Sequence, residues 1–237
     1  MTKEQLVKLF DHTCLYAYAT EAHMKKLCDE ARAYNFAMVA VNSVQVKRCK
    51  KFLKDTDVHV GAAISFPLGQ TTIASKVFET VDAIQNGADE IDYVINITEL
   101  KEGNYDYIRE EMRQIVAECR KANVISKVIF ENCYLTQEEK EILCKIALEV
   151  KPDFIKTSTG YGFTKREDGN YNYTGATVEQ LALMRRVSDP AIQIKAAGGV
   201  RTLDDLLTVR KLGVTRVGAT ATAAILDEAV RRLYGQA

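Results

Sequence analysis

A single α/β domain closed into an eight-stranded parallel barrel, the (β/α)8 or TIM barrel, with one short helix ahead of it, is the fold class this sequence predicts. Three observations carry that expectation. Short apolar, strand-like runs alternate with amphipathic helical stretches along nearly the whole chain, the pattern of right-handed βαβ units on a parallel sheet. There are eight such pairs, the number that closes a barrel, and 237 residues is close to the ~250 typical of one. The rival, an open doubly wound sheet, would carry G-x-G-x-x-G after its first strand, and "FDHTCL" offers nothing of the kind.

Taken in order, the opening "MTKEQLVKLF" has apolar residues at helical spacing and no long apolar core, so it reads as a short amphipathic helix rather than a secretory signal. "KLFDHTCL" is the first strand, and Glu21 to Tyr34 its helix. "FAMVAVN" is nearly all apolar, as a strand buried on both faces requires, and leads into the helix "VQVKRCKKFL". "VHVGAAISF" and "EIDYVIN" are the third and fourth strands, followed by helices near Ile73 to Asn86 and Tyr105 to Ala122. "SKVIFE" precedes the helix Gln137 to Val150, and "DFIKT" precedes Val178 to Val187. The last two units are "IQIKA" with Leu203 to Leu212, and "TRVGA" with a final helix reaching Tyr234. One connection is long and polar: "GFTKREDGNYNYTGA", Gly162 to Ala176, between the sixth strand and its helix, and loops of that length are often functional. No low-complexity segment or linker interrupts the pattern, so residues 1–237 are expected to form one domain.

Composition narrows the function classes. Lys plus Arg equals Asp plus Glu at 32 each, so no basic field draws nucleic acid and no block of like charge forms an interaction tail. No apolar run approaches the ~20 residues that span a bilayer. Cys14, Cys28, Cys49, Cys119, Cys133 and Cys144 are scattered without a C-x-x-C pair, which suggests reduced thiols in a cytoplasmic protein. His12, His23 and His59 form no H-x-H or i, i+4 pair, and "SFPLGQTT" lacks the G-K-[ST] of a nucleotide phosphate loop. Small molecules are therefore the expected partners, with no nucleic acid, membrane, metal or organic cofactor.

In such barrels chemistry sits where strands hand over to helices. Those positions hold Asp11 and Thr13, Asn42, Ser65, Asp92 and Asn96, Glu131, Lys156, Lys195 and Gly218. Side chains at i and i+2 share a face, which groups Lys127 with Ile129 and Glu131, and Glu90 with Asp92, Val94 and Asn96. A lone lysine at a strand end is most often a solvated rim residue. Two on consecutive strands repel each other, and that repulsion, with partial desolvation, drives an amine toward its neutral, nucleophilic form. Lys156 and Lys195 thus read as an imine-forming amine beside a second, proton-carrying lysine, and Asp92, beside them, as a proton carrier. "AAGGVRT" and "GATAT" follow strands seven and eight and run into helices, which is where this fold commonly holds phosphate on backbone N–H groups.

"FDHTCL", "ISFPLGQTT", "GADEIDYVIN", "DFIKTSTGYG" and "IKAAGGVRT", in that order, resemble the deoxyribose-phosphate aldolases, class I aldolases built on this barrel. The likeness runs from about Leu6 to Leu233, and "FIKTSTG" together with "KAAGGVRT" is its most specific part. It implies reversible cleavage of 2-deoxyribose 5-phosphate to acetaldehyde and glyceraldehyde 3-phosphate, with Lys156 as the Schiff-base residue and Lys195 and Asp92 sharing the proton transfers. It also implies that Asp11, Thr13, Lys127 and Thr157 serve the sugar, that Gly198, Gly199, Gly218 and Thr220 serve the phosphate, and that the assembly is a homodimer. Three features depart from the family pattern: the long polar loop after "KTSTG", Ala221 where a serine is common, and an end too soon after Tyr234 for a C-terminal tyrosine tail. A related class I aldolase or transaldolase with another donor, and a non-catalytic barrel that only binds a phosphorylated metabolite, are the alternatives.

Overall fold

The computed structural model describes residues 1–235. Eight parallel strands close into a barrel: β1 (Phe10–Cys14), β2 (Met38–Asn42), β3 (His59–Ile64), β4 (Glu90–Val94), β5 (Ile125–Ile129), β6 (Phe154–Lys156), β7 (Gln193–Ala197) and β8 (Val214–Ala219). Each strand pairs with its neighbours in sequence, and β8 returns to β1 through Asp11 opposite Gly218. The helices are α1 (Lys3–Val7), α2 (Glu21–Tyr34), α3 (Val46–Phe52), α4 (Ile73–Gln85), α5 (Ile97–Lys101), α6 (Tyr105–Lys121), α7 (Gln137–Val150), α8 (Val178–Val187), α9 (Leu203–Lys211) and α10 (Thr222–Ala229). The predicted barrel and its short leading helix are what forms.

Helix starts are set by threonines. Thr72, Thr136, Thr177 and Thr202 each accept a hydrogen bond from the backbone N–H three residues on, at the heads of α4, α7, α8 and α9. Each cap satisfies a donor the helix cannot, and such caps contribute typically ~1 kcal/mol.

The strand alternation separates two environments. Val39, Val41, Val60, Ala62, Ile91, Tyr93, Val128, Ile155, Ile194 and Val217 join the helices in one continuous apolar core outside the barrel. Met38 and Ala40, the opposite parity of β2, belong to a separate small cluster with Ala37. Inward positions on the other strands carry Asp11, Glu90, Asp92, Lys127, Lys156, Lys195 and Arg216, nearly all of them buried. The main apolar core thus lies outside the sheet, and the inside holds a column of charges packed among Met38, Val94, Ile129 and Phe154.

Four local features differ from expectation. The extra helix α5 follows β4, because Asn96 caps it with its side chain on the Glu99 N–H. The loop Gly162–Ala176 is a two-stranded antiparallel hairpin, Phe163–Lys165 against Tyr171–Tyr173. Glu131 lies beyond β5 in the left-handed region (φ 57°), so it does not continue the Lys127–Ile129 face. Finally, α10 ends at Ala229, and a π-helical turn over Val230–Tyr234 completes the run.

Candidate active site

The cross-strand register brings the inward charges together. Asp92 on β4 pairs with Lys127 on β5, Lys156 on β6 with Lys195 on β7, and Lys195 with Arg216 on β8. One oxygen of Asp92, Oδ2, accepts from both Lys156 Nζ and Lys195 Nζ, each at 2.7 Å. Its other oxygen accepts from Lys127 Nζ, also at 2.7 Å. Lys195 pairs further with Asp11 at 2.5 Å, and Asp11 with Arg216. Arg216 continues to Glu90 at 3.0 Å, and Glu90 also holds Lys127 and, at 2.8 Å, His59. A column of ion pairs therefore runs up the barrel from His59 at the lower opening to Lys156 at the upper.

Counting charge along the column shows what it does. Asp11, Glu90 and Asp92 supply three negative charges, against four cations in Lys127, Lys156, Lys195 and Arg216. Lys127, Lys195 and Arg216 each touch two carboxylates, whereas Lys156 touches only the Asp92 oxygen it shares. The fourth cation is in excess, and the least paired of the four holds its proton least tightly. Burial first, then repulsion from Lys195 and Lys127, bring the Lys156 amine down to about 8 against the pull of Asp92. About a tenth of such an amine is neutral at pH 7, compared with a few parts in ten thousand of an ordinary lysine. Lys127 moves the opposite way, since Asp92, Glu90 and Asp11 together overcome its burial and hold the ammonium. Asp92 is likewise buried, yet the three lysines keep its carboxyl well below the usual carboxylate range.

Above the column opens a cavity of about 430 Å³. Lys156 and Lys195 reach into it from below, and Thr13, Gly198, Gly199, Gly218 and Thr220 line its sides. Asp11, Lys127 and Thr157 were expected to meet the sugar as well, and they do not line this space. All three are completely buried. Asp11 sits two residues before Thr13 on β1 and so one layer deeper, where it serves as a counter-ion. Lys127 is locked between Asp92 and Glu90. Thr157 clamps β6 to β7, its hydroxyl accepting the Ala197 N–H at 3.0 Å. The other rim polar residues have local work: Asn42 donates to the Leu15 carbonyl, the Ser65 and Thr71 hydroxyls share a hydrogen bond and the Ser65 N–H donates to Glu79, and Glu131 accepts from Thr159.

Several participants lie outside the sequence-based expectation. Arg216 completes the column with Glu90, which alternation had already set on the Asp92 face; the i, i+2 rule that places Gly218 inside also places Arg216 there. Arg201, in "GGVRT", and the hairpin aromatics Phe163 and Tyr173 line the cavity. Gly198 and Gly199 have φ of 72° and 85°, a conformation that side-chain-bearing residues rarely adopt. A β-carbon on Gly175 would lie 2.6 Å from the Gly198 carbonyl oxygen, so the hairpin's second foot presses directly on this loop.

An amine near neutrality at the floor of a half-enclosed cavity, beside a second lysine and a permanent carboxylate, can capture a carbonyl carbon and pass protons to and from it. Comparison with known proteins gives the same direction. Residues 5–224 match the family model described as DeoC/LacD family aldolase. A Lactobacillus acidophilus deoxyribose-phosphate aldolase is 54% identical over 224 residues, covering 94% of this chain and 90% of the relative. One from Bacteroides thetaiotaomicron is 48% identical over 227 residues, covering 96% and 91%. Among solved structures, a Coccidioides immitis chain provisionally assigned the same activity superposes with a TM-score of 0.88 at 33% identity, covering 97% of this chain and 87% of its own. The deoxyribose phosphate aldolase of Aeropyrum pernix, described as tetrameric, shares the fold with a TM-score of 0.85 at 24% identity, over 98% and 93% of the two chains.

Proposed function

The chain belongs to the DeoC/LacD family of aldolases, and from that premise we propose that it cleaves 2-deoxyribose 5-phosphate reversibly into acetaldehyde and glyceraldehyde 3-phosphate through an imine on Lys156. The observation that carries this reading is the single Asp92 oxygen shared by Lys156 and Lys195, which leaves one lysine at the cavity floor short of a counter-charge.

The neutral Lys156 Nζ attacks C1 of the open-chain aldehyde, and its proton moves to the oxygen to give a carbinolamine. Protonation of that hydroxyl and its loss as water leaves the iminium. The C3 hydroxyl then gives up its proton, its electrons form the new C3 carbonyl, and the C2–C3 pair flows to the iminium nitrogen. Glyceraldehyde 3-phosphate departs and an enamine remains. C2 takes a proton, water adds to the renewed iminium, and acetaldehyde leaves with the amine restored. Lys195 lines the cavity and Asp92 does not, so Lys195 is the group that meets the substrate's protons. Asp92 is the fixed anion beneath, through which the two lysines are coupled.

The glycine loops after β7 and β8, with Arg201 and Thr220 beside them, form the polar end of the cavity and are the proposed seat of the phosphate. The six free thiols suit a cytoplasmic setting, and a homodimer is the proposed assembly by family likeness. Among the described residues no helix is long and apolar enough to cross a membrane.

Borohydride reduction in the presence of 2-deoxyribose 5-phosphate, followed by peptide mapping, tests the reading. The expected result is a stable adduct on the Lys156 peptide and loss of turnover in Lys156→Leu. An adduct on another lysine alone would sink it.

A further inference from the structure

The hairpin between β6 and α8 is a built element. At its first foot, the Tyr134 hydroxyl donates to the Phe163 carbonyl at 3.2 Å and accepts the Phe163 N–H at 3.1 Å. At its second, the Ala176 N–H donates to the carbonyls of Ala197 and Gly198 at 3.2 and 3.1 Å, beside the Gly175 contact already described. The turn is closed by Arg166 N–H on the Asn170 carbonyl at 2.8 Å. The second end is thus fastened to the glycine loop that lines the cavity and the first to Tyr134 in the turn after β5, and the side chains turned toward the cavity are held between them.

Two of those side chains, Phe163 and Tyr173, line the cavity, with ring centroids 5.8 Å apart. The Tyr173 hydroxyl lies over the glycine loop. A β-carbon at Gly198 would collide with it, and one at Gly160 would stand 3.9 Å away. Burial first, then Glu131 and Cys133, push the phenol above its ordinary value, against a smaller opposing pull from Arg201. At neutral pH it therefore keeps its proton and can donate. Among the described residues this hydroxyl makes no hydrogen bond, while the neighbouring Tyr134 makes two.

We infer that Tyr173 is a specificity-determining residue for the reaction: its hydroxyl donates a hydrogen bond to the phosphate at the glycine-lined end of the cavity. The inference rests on the phosphate seat proposed above. A half-buried phenol over left-handed glycine backbone, lining the same cavity as Arg201, donates a stronger hydrogen bond to a charged phosphate oxygen than to the neutral hydroxyl of an unphosphorylated sugar. A hydrogen bond to a charged acceptor is among the stronger ones, enough to change affinity about tenfold or more.

The test compares the wild type with Tyr173→Phe, which keeps the ring and removes only the hydroxyl, on 2-deoxyribose 5-phosphate and on unphosphorylated 2-deoxyribose. The expected result is a fall of about tenfold in the ratio of the two kcat/KM values, arising in KM for the phosphorylated sugar with kcat changed less than about twofold. An unchanged ratio, or an equal loss on both sugars, overturns the inference and leaves the aldolase reading standing. A wild type that turns over neither sugar overturns the aldolase reading and this inference with it.

Discussion

At the scale of single residues, the decisive quantity is how many charges crowd around one amine. Lys195 is the test of that statement. Lys195→Met removes one cation and leaves three carboxylates facing three cations, so Lys156 changes from surplus to required. The rising limb of kcat/KM against pH, expected near the Lys156 value of about 8 in the wild type, should move upward by roughly one pH unit or more. Turnover at pH 7 should fall about 10²–10⁴-fold, the usual worth of a proton-transfer group. A limb that stays in place would show that Lys195 does not set the Lys156 amine. The sign for stability is the opposite of the familiar salt-bridge case. Because Lys156 holds its proton less tightly folded than unfolded, the unfolded chain binds more protons between about pH 8 and the ordinary lysine value, and stability rises with pH there. Urea midpoints measured from pH 7.5 to pH 10 should therefore climb more in the wild type than in Lys156→Leu.

At the scale of elements, a second buried pair fixes the strand that carries Asp92. Lys76 on α4 donates to Glu111 on α6 at 2.6 Å and to the Val94 carbonyl at 2.7 Å. The other Glu111 oxygen accepts the Asn96 N–H at 3.1 Å. Two helices and the exit of β4 are joined at this point, with Lys76 and Glu111 both fully buried. Burial pushes the lysine down and the glutamate up, so desolvation outweighs their mutual attraction. Glu111→Leu alone should destabilise by roughly 3–5 kcal/mol because it strands a buried ammonium, and Lys76→Met with Glu111→Leu should recover most of the loss. Urea unfolding of the single and double variants checks this. The pair was not legible in the sequence: Lys76 and Glu111 sit on different amphipathic helices, each looking like one of many surface charges, and only tertiary packing brings them together. Most helix and strand boundaries were legible, because the apolar period changes from strand-like to helical at each junction. The hairpin was missed for a related reason. Its strands are three residues each and polar, too short for an alternating pattern to register.

Across the whole molecule, the eight-unit barrel could be anticipated from counting, whereas the charged column within it could be anticipated only in part. Alternation placed Glu90 beside Asp92 and put Lys127 inside. It said nothing of the pairing of Lys195 with Asp11 or of Arg216 with Glu90, since those contacts join the first half of the chain to the last. Thr13 and the glycines of the last two loops line the cavity, while Asp11 and Lys127 lie a layer below it and Thr157, next to Lys156, is turned to β7 instead, because strand-end position alone reports neither depth nor facing. The column also explains why His59, which seemed an incidental residue far from the chemistry, matters: its side chain, 43% exposed, touches Glu90 at the foot of the charge array.

The hairpin's anchoring has a practical corollary for protein engineering. Its second foot grips the glycine loop of the cavity and its first the turn after β5, but the tip around Asp168 and Gly169 is exposed, with open space beyond Gly169, whose own left-handed φ of 83° is best left to glycine. A surface tether or affinity peptide grafted at that tip would extend outward into bulk water, giving an attachment point for immobilising the catalyst that leaves the machinery below it undisturbed.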